Sequence, residues 1–242
     1  FNASHTHSSV GGFAPGLLAK QFAGNYDPRI PSMLIEIFAK TIVQAVQSLE
    51  PASIALGGEV LASDYIRNRT REAHTDDAST FLVVRQADND LCYLVRFSAH
   101  PTVLSGRNML FSGDFPGFLQ RALESETGGF AMYLGGAVGS MGPRPPDGAE
   151  DFARAHALGE ALARLVLENS SELTFKDNVD IQAAGTSLRL PSFQLRISQN
   201  WRLSPFLFSL VGLDQDGWLS IIKVDNTILL GFPADFSGEI AR

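Results

Sequence analysis

The sequence predicts an α/β fold, a layered domain in which a central mixed β-sheet is covered by helices. Segments with apolar residues at helical spacing alternate with short apolar runs typical of strands, and no repeat interrupts them. Such alternation is expected when helices pack on the faces of a sheet. The 242 residues, 45% hydrophobic and 19% charged, suffice for one sizeable core, so residues 1–242 are predicted to form a single domain.

The first half of the chain supplies one helix and most of the predicted sheet. Residues 1–13, "FNASHTHSSVGGF", are predicted to be a strand that ends at two glycines. Residues 31–51 carry apolar side chains at helical spacing, and "ASIALGGEVL" (52–61) predicts a strand. Residues 80–100 predict a hairpin that turns at "ADND" and whose second strand runs into His100.

The second half adds two helices, a buried strand and a second hairpin. "SGDFPGFLQRALESE" predicts a helix that begins at Asp114 and has a proline in its first turn, where a helix tolerates it. "GGFAMYLGG" (128–136) predicts a buried strand, and residues 148–170 predict a strongly periodic helix. "GWLSIIKVDNTILLGFPADF" predicts a hairpin with Asp225 and Asn226 at its turn.

Composition and charge exclude several classes of function. A net charge of −7 and a pI near 5.2 argue against nucleic acid as a partner, because phosphate binding needs clustered Lys and Arg. The apolar runs fall short of the roughly 20 residues of a membrane span, and no signal peptide is recognisable. The single cysteine, Cys92, excludes an internal disulfide, so any metal must be held by His and carboxylates. The chain lacks an initiator Met and begins inside a motif, so truncation at both ends is expected.

Three predicted strand ends carry groups suited to metal binding: His5 and His7 at the first, His100 at the second and Asp235 at the third. Side chains two apart in a strand face the same side, so His5 and His7 would face one site together. Two histidines and a carboxylate, with an open fourth position, form the ligand set of a catalytic zinc. Alternatively, the histidines are structural groups and Asp235 caps a turn. Only their joint occurrence favours a site.

Five short motifs occur in an order and spacing that match a known family. They are "SHTHSSVGGF", "NRT" at residues 68–70, "FSAHPTVL" followed by "LFSGDFPGFLQ", "GGAVGSMGP" and "LLGFPADF". These segments resemble the THTHSGPGG, INRS, (V/A)HxT with SGD, GDxSP and PGE segments of the neutral/alkaline, non-lysosomal ceramidase family. The resemblance spans the chain and implies that residues 1–242 form the catalytic domain of a zinc amidohydrolase that cleaves the N-acyl bond of ceramide.

The resemblance also assigns roles to individual residues. It makes three side chains zinc ligands: His5, His100 and Asp235. His7 and Arg69 would be catalytic, lining the substrate side of the metal and contacting the reacting carbonyl. The expected reaction is hydrolysis by zinc-activated water, with Arg69 stabilising the developing oxyanion. Asp114 is a candidate to orient a ligand histidine, with helix capping as the alternative.

Two departures from the family pattern bear on this reading. Asp235 replaces the family glutamate and is one methylene shorter, so a metal must lie closer to the strand or be held less well. Gly142 stands at the family's serine position and Ser140 at its aspartate position, so no covalent seryl intermediate is expected. Ser140 is a substitute nucleophile only by proximity. The family's tyrosine ligand would lie beyond Arg242.

The resemblance implies a lipid-like small-molecule substrate, association with a membrane surface, and a secreted, periplasmic or membrane-associated protein of unknown oligomeric state. An ester or phosphoester zinc hydrolase is an alternative, because His7 and Arg69 suit a phosphoryl group equally well. A degenerate domain that binds a lipid or a protein partner is another. An amidohydrolase barrel needs further metal histidines, whereas His74 and His156 are predicted to face solvent.

Overall fold

Two β-sheets and four helices form the framework of the molecule. A computed structural model describes residues 2–70, 74–88, 90–147, 150–191, 196–198, 200–204, 206 and 215–240. The described helices are α1 (Leu17–Ala23), α2 (Arg29–Gln47), α3 (Asp114–Thr127) and α4 (Asp151–Ser170). The described strands are β1 (Ser53–Leu61), β2 (Ile66–Asn68), β3 (Ala78–Arg85), β4 (Leu91–Phe97), β5 (Gly128–Gly135), β6 (Met141–Pro143), β7 (Ile181–Arg189), β8 (Arg196–Ser198), β9 (Trp201–Arg202), β10 (Asp216–Val224) and β11 (Thr227–Gly231).

The central sheet is mixed and has the order β1-β3-β4-β5, which confirms the predicted α/β architecture. The predicted hairpin is also confirmed, since β3 and β4 pair antiparallel with Arg85 opposite Leu91. β5 joins the sheet parallel to β4, and α3 packs on β5 and against α4. Phe97, Phe115 and Tyr133 pack edge to face in the core between the sheet and α3.

Outside the central sheet, the described strands include a three-stranded sheet and a two-stranded ribbon that lead to residues of the site. β10 and β11 form the second predicted hairpin, with Val224 opposite Thr227, and β7 pairs with β10 to complete an antiparallel sheet. A two-stranded ribbon of β2 and β6 places Arg67 opposite Gly142. This ribbon brings the "NRT" and "GSMGP" segments side by side, although they are about 70 residues apart in sequence.

The prediction of a strand in residues 1–13 is wrong for the described part of that segment. Residues 2–16 are irregular, and His5 has a left-handed backbone with φ of 61°. Histidine is one of the residues that tolerate this region better than most. The segment is held instead by hydrogen bonds, from Asn2 to Tyr133 O at 2.7 Å and from Thr6 Oγ1 to Ser112 O at 2.7 Å. His5 and His7 are therefore brought together by a turn and not by strand alternation.

The helix predicted over residues 31–51 is present as α2, but it has no buried residue. Its apolar side chains, which include Phe38, Ile42 and Val46, are exposed. Among the described helices, none is both long and apolar enough to cross a membrane.

Strand direction determines where the site forms. Because β4 and β5 are parallel neighbours, their carboxyl ends meet at one edge of the central sheet. β4 leads to His100, three residues after the strand ends, and β5 leads to residues 136–140, which connect β5 to β6 and are named here the site loop. This edge is the usual location of sites in open α/β sheets.

Candidate metal and catalytic site

Three histidine rings meet at the carboxyl edge of the central sheet. The metal-binding nitrogens of His5, His7 and His100 all lie within 4.8 Å of one another. The Nε2 atoms of His7 and His100 are 2.9 Å apart, and the ring centroids of His5 and His100 are 4.6 Å apart. His100 is only 6% exposed, whereas His5 is half-buried and His7 faces solvent. The cluster therefore has a buried floor and an open side.

The buried imidazole of His100 is oriented by the site loop. Its Nδ1 lies 3.2 Å from Val138 O and 3.0 Å from a guanidinium nitrogen of Arg69. These contacts demand opposite tautomers, because a carbonyl only accepts and a guanidinium only donates. We assign the proton to Nδ1, because the contact with Val138 O is a hydrogen bond only if Nδ1 donates. Arg69 does not need Nδ1 as an acceptor, since it donates to Gly139 O at 3.2 Å. The Nε2 lone pair of His100 then faces the cluster.

Asp235 approaches the cluster through His5. Its Oδ2 lies 3.0 Å from His5 Nε2, and both side chains are partly exposed, at 45% and 34%. The hydrogen bond to His5 lowers the pKa of the Asp235 carboxyl, and the same bond raises the pKa of His5. Burial, and then the nearby charge of His5, lowers the pKa of His7. Burial likewise lowers the pKa of His100. These contacts thus favour the protonated form of His5 beside an ionised Asp235, and the neutral forms of His7 and His100.

Arg69 lies across the β2–β6 ribbon because Gly142 leaves room for it. A Cβ atom at position 142 would lie 2.8 Å from both Cγ and Cδ of Arg69, which is too close for an unmoved side chain. The Arg69 amide also donates to Ser140 O at 2.7 Å. The glycine that replaces the family's serine therefore determines the path of the arginine.

Replacing Gly142 with alanine should displace Arg69 and reduce activity by about tenfold to a hundredfold, because small misplacements of catalytic groups are costly. The matched control is Gly106→Ala, since a Cβ there meets nothing within 4 Å. Steady-state kinetics of both variants and of the double variant Gly142→Ala/Arg69→Ala would test this. A double variant much slower than Arg69→Ala alone would show that Gly142 acts by another route.

Asp114 bonds to the backbone and to no ring of the histidine cluster. Its carboxylate accepts from the backbone amides of Leu104 at 2.9 Å and Phe115 at 2.6 Å, and it is 1% exposed. Burial raises the pKa of this carboxyl, although the backbone amides oppose the change. Asp114 itself has a left-handed φ of 54°. These bonds hold the start of α3 and the loop that follows His100, while the N-cap position of α3 is Gly113.

Ser140 is buried, and its hydroxyl bonds to the segment that follows Asp235. Its Oγ accepts from the Gly238 amide at 3.0 Å and lies 3.0 Å from the Ser237 hydroxyl. Gly139 N also donates to Phe236 O at 2.9 Å. These bonds fasten the segment that carries Asp235 to the site loop.

The orienting groups that the sequence did not reveal are backbone carbonyls. Val138 O and Gly139 O bond His100 and Arg69, and a motif of side chains carries no signal for them. Of the two histidines predicted to face solvent, His156 is exposed on α4, but the prediction is wrong for His74, which is half-buried because its segment packs on Asn68 and the His74 carbonyl accepts from the Asn68 amide. Neither belongs to the group of three histidines.

Comparisons with known proteins find similarity to neutral ceramidases in fold and in part of the sequence. No protein-family model matches the chain. A curated neutral ceramidase of Mycobacterium tuberculosis is 26% identical over 147 residues, which cover 55% of this chain and 23% of that protein. The crystal structure of neutral ceramidase from Pseudomonas aeruginosa superposes with a TM-score of 0.77 and 17% identity, covering 98% of this chain and 49% of the other.

A structure of a ceramidase complexed with C2 gives a TM-score of 0.78 at 15% identity, covering 98% of this chain and 50% of the other. This chain thus spans about half the length of the solved proteins and less than a quarter of the curated one. Fold, motif order and sequence similarity together identify the chain as a divergent neutral-ceramidase-like domain.

Proposed function

We propose that this domain is the catalytic part of a zinc-dependent hydrolase that cleaves the N-acyl amide bond of a ceramide-like lipid. The observation that carries the proposal is the convergence of three imidazoles, a carboxylate and an arginine at the carboxyl edge of a mixed sheet. The similarity to neutral ceramidases supports the same chemistry.

The residues at this edge suit zinc. Nitrogen and oxygen donors from His and Asp are its usual ligands in catalytic sites. We propose His5, His100 and Asp235 as the ligands. His7 is the alternative ligand, because its nitrogen lies within 4.8 Å of those of His5 and His100. A zinc ion held by these residues would lower the pKa of a bound water to about 7 and would polarise a carbonyl.

His7 and Arg69 are proposed to act on the substrate. With the His100 proton on Nδ1, the 2.9 Å contact between the two Nε2 atoms requires His7 Nε2 to be the donor in the metal-free structure. A metal on His100 Nε2 would end that contact and leave the His7 N–H to be presented to a developing oxyanion or to a leaving amine. Arg69 is permanently charged and lies beside the same rings, so it can stabilise negative charge on the tetrahedral intermediate.

Hydrolysis by water, without a seryl intermediate, is supported by the position of Ser140. A nucleophilic serine needs an adjacent base within hydrogen-bond reach. The described partners of the Ser140 hydroxyl are Ser237 and the Gly238 amide, and neither is a base. Gly142, at the family's serine position, has no hydroxyl at all.

A lipid substrate drawn from a membrane surface, and a secreted, periplasmic or membrane-associated location, complete the proposal. An exposed apolar loop beside the site supports the lipid: Met109, Leu110 and Phe111 are 91%, 67% and 82% exposed. Residues next to them are tied to the histidine segment, since Ser112 N donates to Ser8 O at 2.9 Å and Asn108 Nδ2 donates to Ser8 Oγ at 2.9 Å.

The function is tested by assaying the full-length, zinc-loaded protein against panels of N-acyl sphingoid amides, carboxylic esters and phosphate esters. We expect the long-chain amide to give the highest kcat/KM and chelation to remove that activity. Turnover of a phosphate ester above all amides would replace the proposal with the phosphoester hydrolase. A protein that binds less than one zinc per chain and turns over none of the substrates would indicate the degenerate binding domain.

A further inference from the structure

A buried polar network lies behind the site loop and includes none of the residues assigned above. The fully buried Ser98 donates its hydroxyl proton to Asp76 Oδ2. Arg96 also bonds the Asp76 carboxylate and donates to Ala78 O at 3.1 Å. The Asp76 side chain is only 11% exposed, so Arg96 and Ser98 hold the carboxylate in one orientation.

The Ser98 hydroxyl connects this network to the site loop. Its one proton is used on Asp76, because a carboxylate can only accept. Its lone pairs are left to accept from the Ala137 amide, which donates at 3.0 Å. Asp76 therefore fixes the hydroxyl rotor that holds the Ala137 amide in place.

The glycine at position 136 is independent evidence that the loop rests on the network. A Cβ there would collide with Ser98 Oγ and lie 2.5 Å from Arg96 Nε. The Gly136 amide also donates to Phe97 O at 3.0 Å, which ties the loop to the end of β4. The loop backbone thus packs directly on the Ser98 and Arg96 side chains, with no space for a methyl group.

The residues that follow Ala137 supply the acceptors of the site. Val138 O bonds the His100 ring at 3.2 Å, and Gly139 O accepts from Arg69 at 3.2 Å. A displacement of the Ala137 amide would therefore move both acceptors, because they are one and two residues away on the same short loop.

We propose that Ser98, fixed by Asp76, is a positioning residue for His100 and Arg69. It touches neither of them and acts through the Ala137 amide and the two carbonyls that follow. The proposal rests on the proposed function, since zinc binding by His100 and catalysis by Arg69 are what the positioning serves.

The sharpest variant is Ser98→Ala, which removes both hydrogen bonds of the hydroxyl and leaves the Arg96–Asp76 ion pair in place. Ser79→Ala is the matched control: Ser79 is 1% exposed, and its hydroxyl donates to Arg96 O at 3.2 Å without contacting the site loop. Each variant loses one buried hydroxyl, so both should lower Tm. Ser98→Ala alone should weaken zinc affinity by about tenfold or more in chelator competition, as expected for a group that orients a ligand.

A measurement on zinc-free protein tests whether Ser98 positions His100 without depending on the proposed zinc hydrolysis. In zinc-free full-length protein, Ser98→Ala should shift the Nδ1 resonance of His100, assigned from the spectrum of His100→Ala, whereas Ser79→Ala should not. Asp76→Asn should shift it in the same way and serves if Ser98→Ala does not fold.

Unchanged zinc affinity and an unchanged His100 resonance in Ser98→Ala, with Tm lowered as in Ser79→Ala, would overturn the positioning role. A wild-type protein that binds no zinc would instead remove the proposed function, and the His100 resonance would still decide whether Ser98 positions that ring.

Discussion

Replacing His100 with alanine should abolish stoichiometric zinc binding and reduce hydrolysis to background. His100 is the buried member of the cluster, and its Nε2 faces the other nitrogens because Nδ1 is held at Val138 O. Its loss leaves only partly exposed donors, with His5 engaged by Asp235. Outer-shell changes alone typically cost about 10–100-fold in metal affinity, so loss of a ligand should cost more. Elemental analysis after dialysis against a weak chelator measures this.

His156→Ala is the control for that measurement. His156 is exposed on α4 beside Glu160 and is not part of the group of three histidines, so its replacement should leave zinc content and kcat unchanged. Full zinc content in His100→Ala, or loss of zinc in His156→Ala, would show that the ligand assignment is wrong.

The third ligand can be decided with the same assay. If Asp235 is a ligand, Asp235→Ala should weaken zinc binding, whereas His7→Ala should retain zinc and lose activity. The opposite result would place His7 in the ligand set, as the 4.8 Å grouping of the three histidines allows, and leave Asp235 as the partner of His5.

The architecture was predictable because its signals are local. The 3.6-residue spacing in α2, α3 and α4 and the turn residues Asp225 and Asn226 determine elements without help from distant contacts. The opening segment was not predictable in this way. Alternating polar residues resemble a strand, but Asn2 and Thr6 bond to distant backbone carbonyls and His5 adopts a left-handed backbone. Tertiary hydrogen bonds override the local pattern there.

The same distinction applies to the site. Residue types and motif order predicted five site residues, and the structure brings their side chains together: His5, His7, His100, Arg69 and Asp235. The groups that orient them could not be predicted from the sequence, for two reasons. Val138 and Gly139 act through backbone carbonyls, which every residue has, and Ser98 acts through a network assembled from separate strands and loops.

Gly142 illustrates what a motif comparison leaves out. In the sequence, Gly142 stands where the family has a serine, and the missing hydroxyl argues against covalent catalysis. In the structure the absent Cβ is the space that Arg69 crosses on its way to His100 and Gly139. The departure from the family pattern and the position of the arginine are therefore one feature.

Replacing Arg69 with alanine should lower kcat about a hundredfold with little change in KM. The guanidinium donates to Gly139 O at 3.2 Å and lies beside the His100 ring, so it is held at the cluster before substrate arrives. A fixed cation contributes most where negative charge develops, which is in the transition state and not in a neutral amide. A hundredfold loss corresponds to about 2.7 kcal/mol of transition-state stabilisation. Steady-state kinetics with saturating zinc measure kcat and KM separately.

Two variants make the interpretation of Arg69 specific. Arg67→Ala is the matched control, because Arg67 lies two residues earlier on the same ribbon and lines a separate surface groove with Asp77 and Arg144. It should retain wild-type kcat. Arg69→Lys keeps the charge but replaces the planar guanidinium that donates to Gly139 O with a compact ammonium on a flexible stem, so partial recovery is expected. If Arg69→Ala raised KM and left kcat intact, the arginine would bind the ground state, and the oxyanion role would have to be abandoned in favour of recognition of a polar substrate group.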